Sequence, residues 1–269
     1  MPVAAQWIRH EDSLGFLAWP ERASVPLPSV LVIQEIWGVD EHIKDVTRRI
    51  ASAGYVAYAP DLYAKKGVRP EVLHPDRVIE YQAFLQTLPA SANTPADRAA
   101  ALSTLPEPAR GRLSQTHELL FGQLRDLDKY LPALEQASGF LLRISPLSSG
   151  RKLACVGFSM GGGLAGLLSA AEPGLSGAAI FYGTSPPVDR VPRIAIPLIG
   201  FYAGLDERVN AGIPVFADAL AAAGKPFERH LYPGAKHGFF NEDRPAYDAN
   251  ASRDAFARLI EFFRVHLSP

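Results

Sequence analysis

Cysteine occurs once in the 269 residues, at position 155. A single cysteine excludes an internal disulfide and any cysteine-rich metal site. No run of about 18 consecutive apolar residues is present, so no membrane-spanning helix is expected. Neither sign of charge dominates: 27 Lys and Arg stand against 28 Asp and Glu, a formal net charge of −1. The basic residues are scattered, which leaves no electrostatic footprint for nucleic acid and no polybasic patch for a membrane. Met1-Pro2-Val3-Ala4-Ala5-Gln6 lacks a basic region followed by a long apolar stretch, so no secretory leader is expected and a cytoplasmic protein is the simplest reading. Internal repeats are absent, and the Ala and Pro bias of the middle third is too mild for disorder.

What is present suits one large core: 48% of the residues are apolar, enough for a single α/β domain spanning 1–269. Gln6 to Trp19 reads as a hairpin around Glu11-Asp12-Ser13. Val30-Leu31-Val32-Ile33 is a continuous apolar run, the mark of a central parallel strand. Ile43–Ala53 reads as a helix ending at Gly54, and Val56–Ala59 as the next strand. From Leu153 onward, strands near 153–158, 178–182, 197–203 and 227–232 alternate with helices near 160–171, 213–223 and 246–267. Such alternation implies a mainly parallel sheet of about eight strands, covered by helices on both faces. Residues 64–150 break the pattern. They are rich in Pro and Ala, with helical spacing near 76–88 and 95–104 and a longer helix expected over Gln115–Ala137. We read them as a helical cap inserted beside the site; an excursion on a remote surface and a dimer contact are the alternatives.

The chemistry-bearing motif is Gly157-Phe158-Ser159-Met160-Gly161, a G-x-S-x-G sequence between an apolar strand and a Gly-rich helix. A serine on a sharp strand-to-helix turn projects its hydroxyl clear of the sheet, and small neighbours let helix and strand approach. An acid and then a histidine should follow in chain order. Ile196–Ala203 reads as a strand and runs into Gly204-Leu205-Asp206-Glu207. Phe227–Tyr232 reads as another and runs into Pro233-Gly234-Ala235-Lys236-His237-Gly238-Phe239. Both therefore fall at strand carboxyl ends, where open α/β sheets carry their sites. His237, in what reads as a flexible Gly-flanked loop, would take the serine proton, and Asp206 would hold the other ring nitrogen. Glu207 is a rival acid one position on, and Asp206 could equally be a turn residue. Glu35 ends the Val30–Ile33 strand, where a carboxylate must be paired or must face a cavity.

Together these segments resemble the dienelactone hydrolase family of α/β-hydrolases. The likeness is carried by Gln34-Glu35-Ile36-Trp37-Gly38, Gly54-Tyr55, Pro60-Asp61-Leu62-Tyr63, the serine motif with Gly162, Tyr182-Gly183, Gly204-Leu205-Asp206 and His237-Gly238-Phe239. It implies hydrolysis of an ester or lactone of a small substrate, with no metal or organic cofactor. It implies that Glu35 interacts with the nucleophile and that the backbone N–H groups of Ile36 and Met160 form an oxyanion hole. The best-known members carry cysteine where Ser159 stands, so here His237 must serve as a true general base. Cys155, four residues earlier, reads as a small buried residue. No arginine follows His237 directly, so one contact to a substrate carboxylate expected of the family is missing from Gly238-Phe239-Phe240-Asn241. A peptidase of the same fold is the second reading, and a binding protein that has lost its chemistry is the third. A monomer or homodimer would serve each of these.

Overall fold

The structure is a computed structural model that describes residues 2–24, 26–89 and 94–268. Eight strands form one sheet in the order β1-β2-β4-β3-β5-β6-β7-β8. The hairpin β1 (Val3–His10) and β2 (Ser13–Pro20) closes one side, with β2 antiparallel to β4 (Val56–Pro60). The strands β3 (Ser29–Ile33), β4, β5 (Leu153–Phe158), β6 (Leu175–Phe181), β7 (Leu198–Ala203) and β8 (Phe227–Tyr232) run parallel. After β3 the chain steps to β4 on one side, then crosses back to β5 on the other. That reversal opens a crevice at the carboxyl ends of β3 and β5, the usual seat of a ligand in such sheets.

Strand residues alternate between two hydrophobic layers. Val30, Val32, Val156, Phe181 and Phe201 face the helices α1 (Glu41–Ser52) and, as the last helix of the chain, Ala249–Leu267. Leu31, Ile33, Cys155 and Ile180 face the opposite layer. β3, β4 and β5 are buried along their whole length, which explains their unbroken apolar sequence. The final helix turns Leu259, Phe262, Phe263 and Leu267 inward, the face expected from its periodicity. Among the described residues no helix is long and apolar enough to cross a membrane.

The segment between β4 and β5 holds α2 (Pro75–Gln86), α3 (Pro95–Ser103), α4 (Ala109–Gly122) and α5 (Leu131–Gly139). The single helix expected over Gln115–Ala137 is therefore two. Asp126 is extended, and Pro132 sits in the first turn of α5, where a missing N–H costs nothing; inside a helix it would remove a hydrogen bond and clash with the preceding turn. α5 packs against α6 (Met160–Ala171), the helix that follows β5. Val78, Tyr81, Leu113 and Leu120 of the earlier helices join the same buried layer. Beyond α6 come the short α7 (Glu207–Asn210), α8 (Ile213–Ala222) and α9, the Ala249–Leu267 helix.

Candidate active site

Ser159 bridges β5 and α6 with φ 54° and ψ −111°. A positive φ costs a side-chain-bearing residue of order 1–3 kcal/mol and persists only where the surroundings enforce it. Here the flanking glycines do so. A Cβ on Gly157 would lie 1.8 Å from the Gly161 carbonyl oxygen, and one on Gly161 would lie 2.2 Å from that of Ile33. The backbone N–H of Ser159 donates to Phe181 O at 2.9 Å, tying the turn to β6. The Ser159 hydroxyl is thereby presented to His237, with Oγ 2.8 Å from Nε2.

His237 Nδ1 lies 2.5 Å from Asp206 Oδ2. Asp206 caps α7 with its other oxygen, which accepts from Val209 N–H at 3.3 Å. The turn reading and the acid reading of Asp206 thus hold together, one oxygen each. Glu207 points into solvent, whereas Asp206 is buried. Burial alone would raise the Asp206 carboxyl; the hydrogen bond and charge of His237, with the Val209 N–H, outweigh it and hold the group below the ordinary carboxylate range. Ser159, His237 and Asp206 stand in one hydrogen-bonded line.

The histidine loop is less free than its glycines imply. Phe239 and Phe240 are buried, Ser252 Oγ donates to Phe239 O at 2.8 Å, and Asp243 N–H donates to Asn241 Oδ1 at 3.0 Å. Asn241 Nδ2 donates in turn to Glu35 Oε2 at 2.8 Å. The other oxygen of Glu35 accepts from the Tyr182 hydroxyl at 3.1 Å. Glu35 therefore does not bond the nucleophile as the family resemblance implies, because the Ser159 hydroxyl is engaged by His237. Tyr182, buried and at φ 38°, sets its ring edge-on to His237, centroids 5.2 Å apart. Glu35 so links the ends of β3 and β6 to the histidine loop.

Ile36 and Met160 are both buried beside Ser159 in the chain or across the crevice, one just past β3 and one opening α6. Neither backbone N–H has an acceptor among the described residues. A helix N-terminus leaves such donors free, and here one faces the nucleophile's end of the sheet. Cys155 lies inside β5 opposite Leu31, fully buried, and burial pushes its thiol far up. A thiol kept protonated is no nucleophile. Among the described residues no group of three His, Cys, Asp or Glu is placed to hold a metal.

A cleft of about 530 Å³ opens between α2, the turn after β3 and the histidine loop, lined by Trp37, Asp40, Arg69, Ile79, Gln82 and Arg244. Arg69 Nη2, Gln82 Nε2 and Arg244 Nε are buried without an acceptor. The Arg244 guanidinium lies 4.5 Å from the centroid of the Trp37 ring. Tyr182, Asn241 and Arg244 carry no site role in the sequence reading, although Tyr182-Gly183 belongs to the family likeness. Tyr182 had a signal in its place just past β6, but the pairing partners of all three are distant in the chain.

A strained serine between strand and helix, with histidine and acid after later strands, on an eight-stranded mostly parallel sheet, defines an α/β-hydrolase. The chain matches the dienelactone hydrolase family over residues 14–267 and belongs to it. It is 34% identical over 253 residues to a Saccharolobus solfataricus protein assigned as a carboxymethylenebutenolidase, covering 93% of each chain. It superimposes with a TM-score of 0.71 and 26% identity on a Klebsiella pneumoniae protein assigned as a dienelactone hydrolase, covering 98% of this chain and 99% of that one. The acylaminoacyl peptidase of Pyrococcus horikoshii shares the fold alone, at 13% identity and a TM-score of 0.64, over 42% of its length.

Proposed function

We propose that the protein hydrolyses an ester or lactone bond of a small substrate through an acyl-enzyme on Ser159. The observation that carries this reading is the Ser159–His237–Asp206 line at 2.8 and 2.5 Å. Ser159 Oγ bonds to the carbonyl carbon, the C=O π pair moves onto oxygen, and the hydroxyl proton passes to His237 Nε2. Asp206 holds the ring and stabilises the imidazolium. The N–H groups of Ile36 and Met160 stabilise the oxyanion. Collapse breaks the bond to the leaving oxygen, which takes the proton from His237; in a lactone that oxygen stays tethered to the acyl group. Water then adds by the same route, its proton passing to His237 and on to Ser159.

The cleft beside Trp37 and Arg244, which begins one residue past Ile36 and is not itself lined by Ser159 or His237, is the part of the surface we assign to the substrate's remainder. Its unengaged donors favour a group rich in acceptors, and Arg244, seven residues past His237, is placed to serve where an earlier arginine is missing. The wall formed by α2 supports the reading of the insertion as a substrate-selecting cap.

The test is labelling with a fluorophosphonate, followed by turnover of p-nitrophenyl esters and lactones of graded size. Label should fall on Ser159, and Ser159→Ala should abolish both labelling and turnover while the circular dichroism spectrum is unchanged. Substantial esterase activity in purified Ser159→Ala, or label on Cys155, would sink the proposal.

A further inference from the structure

We infer that Tyr63 is the positioning residue of the oxyanion hole, an inference that rests on the esterase reading above. Tyr63 is buried, three residues past β4, and lies far in sequence from both residues it contacts. Its hydroxyl donates to the Ile36 carbonyl oxygen at 2.7 Å and lies 3.9 Å from Met160 Sδ. One hydroxyl thus touches the two residues whose N–H groups are free to meet an oxyanion.

The effect on Ile36 follows from the turn that contains it. Gly38 N–H donates to Glu35 O at 3.2 Å, closing a four-residue turn with Ile36 and Trp37 at its centre. The central peptide of such a turn is the one that flips between turn types, changing ψ of the residue before it. The Tyr63 hydroxyl selects one orientation of that peptide by engaging its carbonyl. On the other side of Ile36, the Glu35 carboxylate is held by Tyr182 and Asn241. The Ile36 N–H belongs to the preceding peptide, whose carbonyl, Glu35 O, accepts from Gly38 N–H; by holding the centre of this turn, the Tyr63 hydroxyl keeps the turn closed and so keeps that peptide's orientation.

Tyr63 is itself fixed. Its backbone N–H donates to Asp61 Oδ1 at 3.1 Å, and Asp61 is ion-paired with buried Arg69. Leu62 N–H donates to Gln34 Oε1 at 3.1 Å, fastening the same segment to the end of β3. Burial drives the phenol far above its ordinary range, so the hydroxyl keeps its proton and remains a donor. This arrangement is costly to maintain for packing alone, since a phenylalanine would fill the same space with no polar group to satisfy.

Tyr63→Phe keeps the ring and removes the clamp. Deleting an oxyanion donor outright costs about 10²–10³ in kcat, so a donor left present but misdirected should cost roughly 10-fold. KM should stay within about two-fold, because the contact matters where charge develops. The acid limb of the pH profile should not move, because the His237 pair is untouched. An aryl trifluoromethyl ketone supplies the decisive readout: Ser159 Oγ adds to its carbonyl carbon, the proton goes to His237, and the oxyanion occupies the hole. Its affinity should fall by the same factor as kcat. The inhibitor reads the hole whether or not the right ester has been found, so a parent enzyme that binds the ketone but cleaves no ester would count against the esterase reading and leave this test intact. Unchanged ketone affinity in a folded Tyr63→Phe protein would overturn the inference. So would a loss confined to KM, or one that tracks a lowered melting temperature and vanishes on cooling.

Discussion

Replacing Glu35 by glutamine separates charge from position. The carboxylate accepts from Tyr182 at 3.1 Å and from Asn241 at 2.8 Å. Asn241 cannot turn over, because its own Oδ1 accepts from Asp243 N–H. A glutamine must therefore give its oxygen to Asn241 and its NH2 to Tyr182, whose hydroxyl can rotate to accept. Both contacts survive. What is lost is the charge assistance, about 1 kcal/mol for each bond, and what is regained is part of the cost of a buried charge. Stability should change little, and kcat by about 10-fold or less, because His237 is reached only through the Tyr182 ring and the loop to Asn241. Glu35→Ala is a different case. It strands two buried donors at about 1–3 kcal/mol each and releases the histidine loop, so stability should fall by about 2–6 kcal/mol and kcat by well over 10-fold. The assay is kcat on a p-nitrophenyl ester together with urea denaturation of parent, Gln and Ala forms. If Glu35→Gln is as inactive as His237→Ala, a loss of about 10⁴ or more, the carboxylate takes part in proton transfer and the positioning account is wrong. If Gln and Ala both match the parent across the pH range, the linkage does nothing for the histidine.

Three further outcomes follow from the same geometry. Burial and the nearby Glu35 raise the Asp40 carboxyl from 3.8 to about 6, so its proton is held more tightly folded than unfolded and stability is lost as pH rises through that window. Asp40→Asn, which keeps the cap on Ile43 N–H, should therefore exceed the parent by about 1–2 kcal/mol near pH 8 and equal it near pH 3 in urea melts, and a variant less stable at pH 8 contradicts the assignment. Gly161→Ala would place a Cβ 2.2 Å from Ile33 O and force α6 off β3, a loss of about 3 kcal/mol or more visible in the melting temperature; a parent-like melt would show that the contact can relax. Ser159→Ala and His237→Ala should each cost nearly as much kcat as the double variant, and additive losses would show that the two do not act as a unit.

The strands and helices that carry the site could be read from the chain because their signals are local. β5, β8 and α6 run over the residues that the apolar runs and turn residues marked. Ser159 and Asp206 follow strands buried along their whole length, and His237 follows the partly exposed β8, whose end Pro233 and Gly234 mark, so their order and place were legible. The break in the insertion was not legible, although Pro132 lies near it, because the leucine spacing on either side continues one helical pattern. The partners of Glu35 were not. Tyr182 lies 147 positions away and Asn241 lies 206 away, and no periodicity records a pairing made across three strand ends. The same is true of Tyr63 and Ile36, 27 positions apart and joined by a hydroxyl on the neighbouring strand's extension.

The insertion occupies one crossover, from β4 to β5, and this divides the chain into separable stretches. Ser159, Asp206 and His237 all follow residue 152, and Glu35 and Ile36 precede residue 61; α2, α3 and α4 lie wholly between. The entropic cost of closing such a crossover grows slowly, by about 0.6 kcal/mol for each doubling of its length. α5 is anchored on α6, so the stretch ahead of it can lengthen, shorten or change sequence while both rims of the crevice keep their register. The insertion and the Ser159–His237–Asp206 line are thus written on different segments of the chain, and the first can drift without redrawing the second.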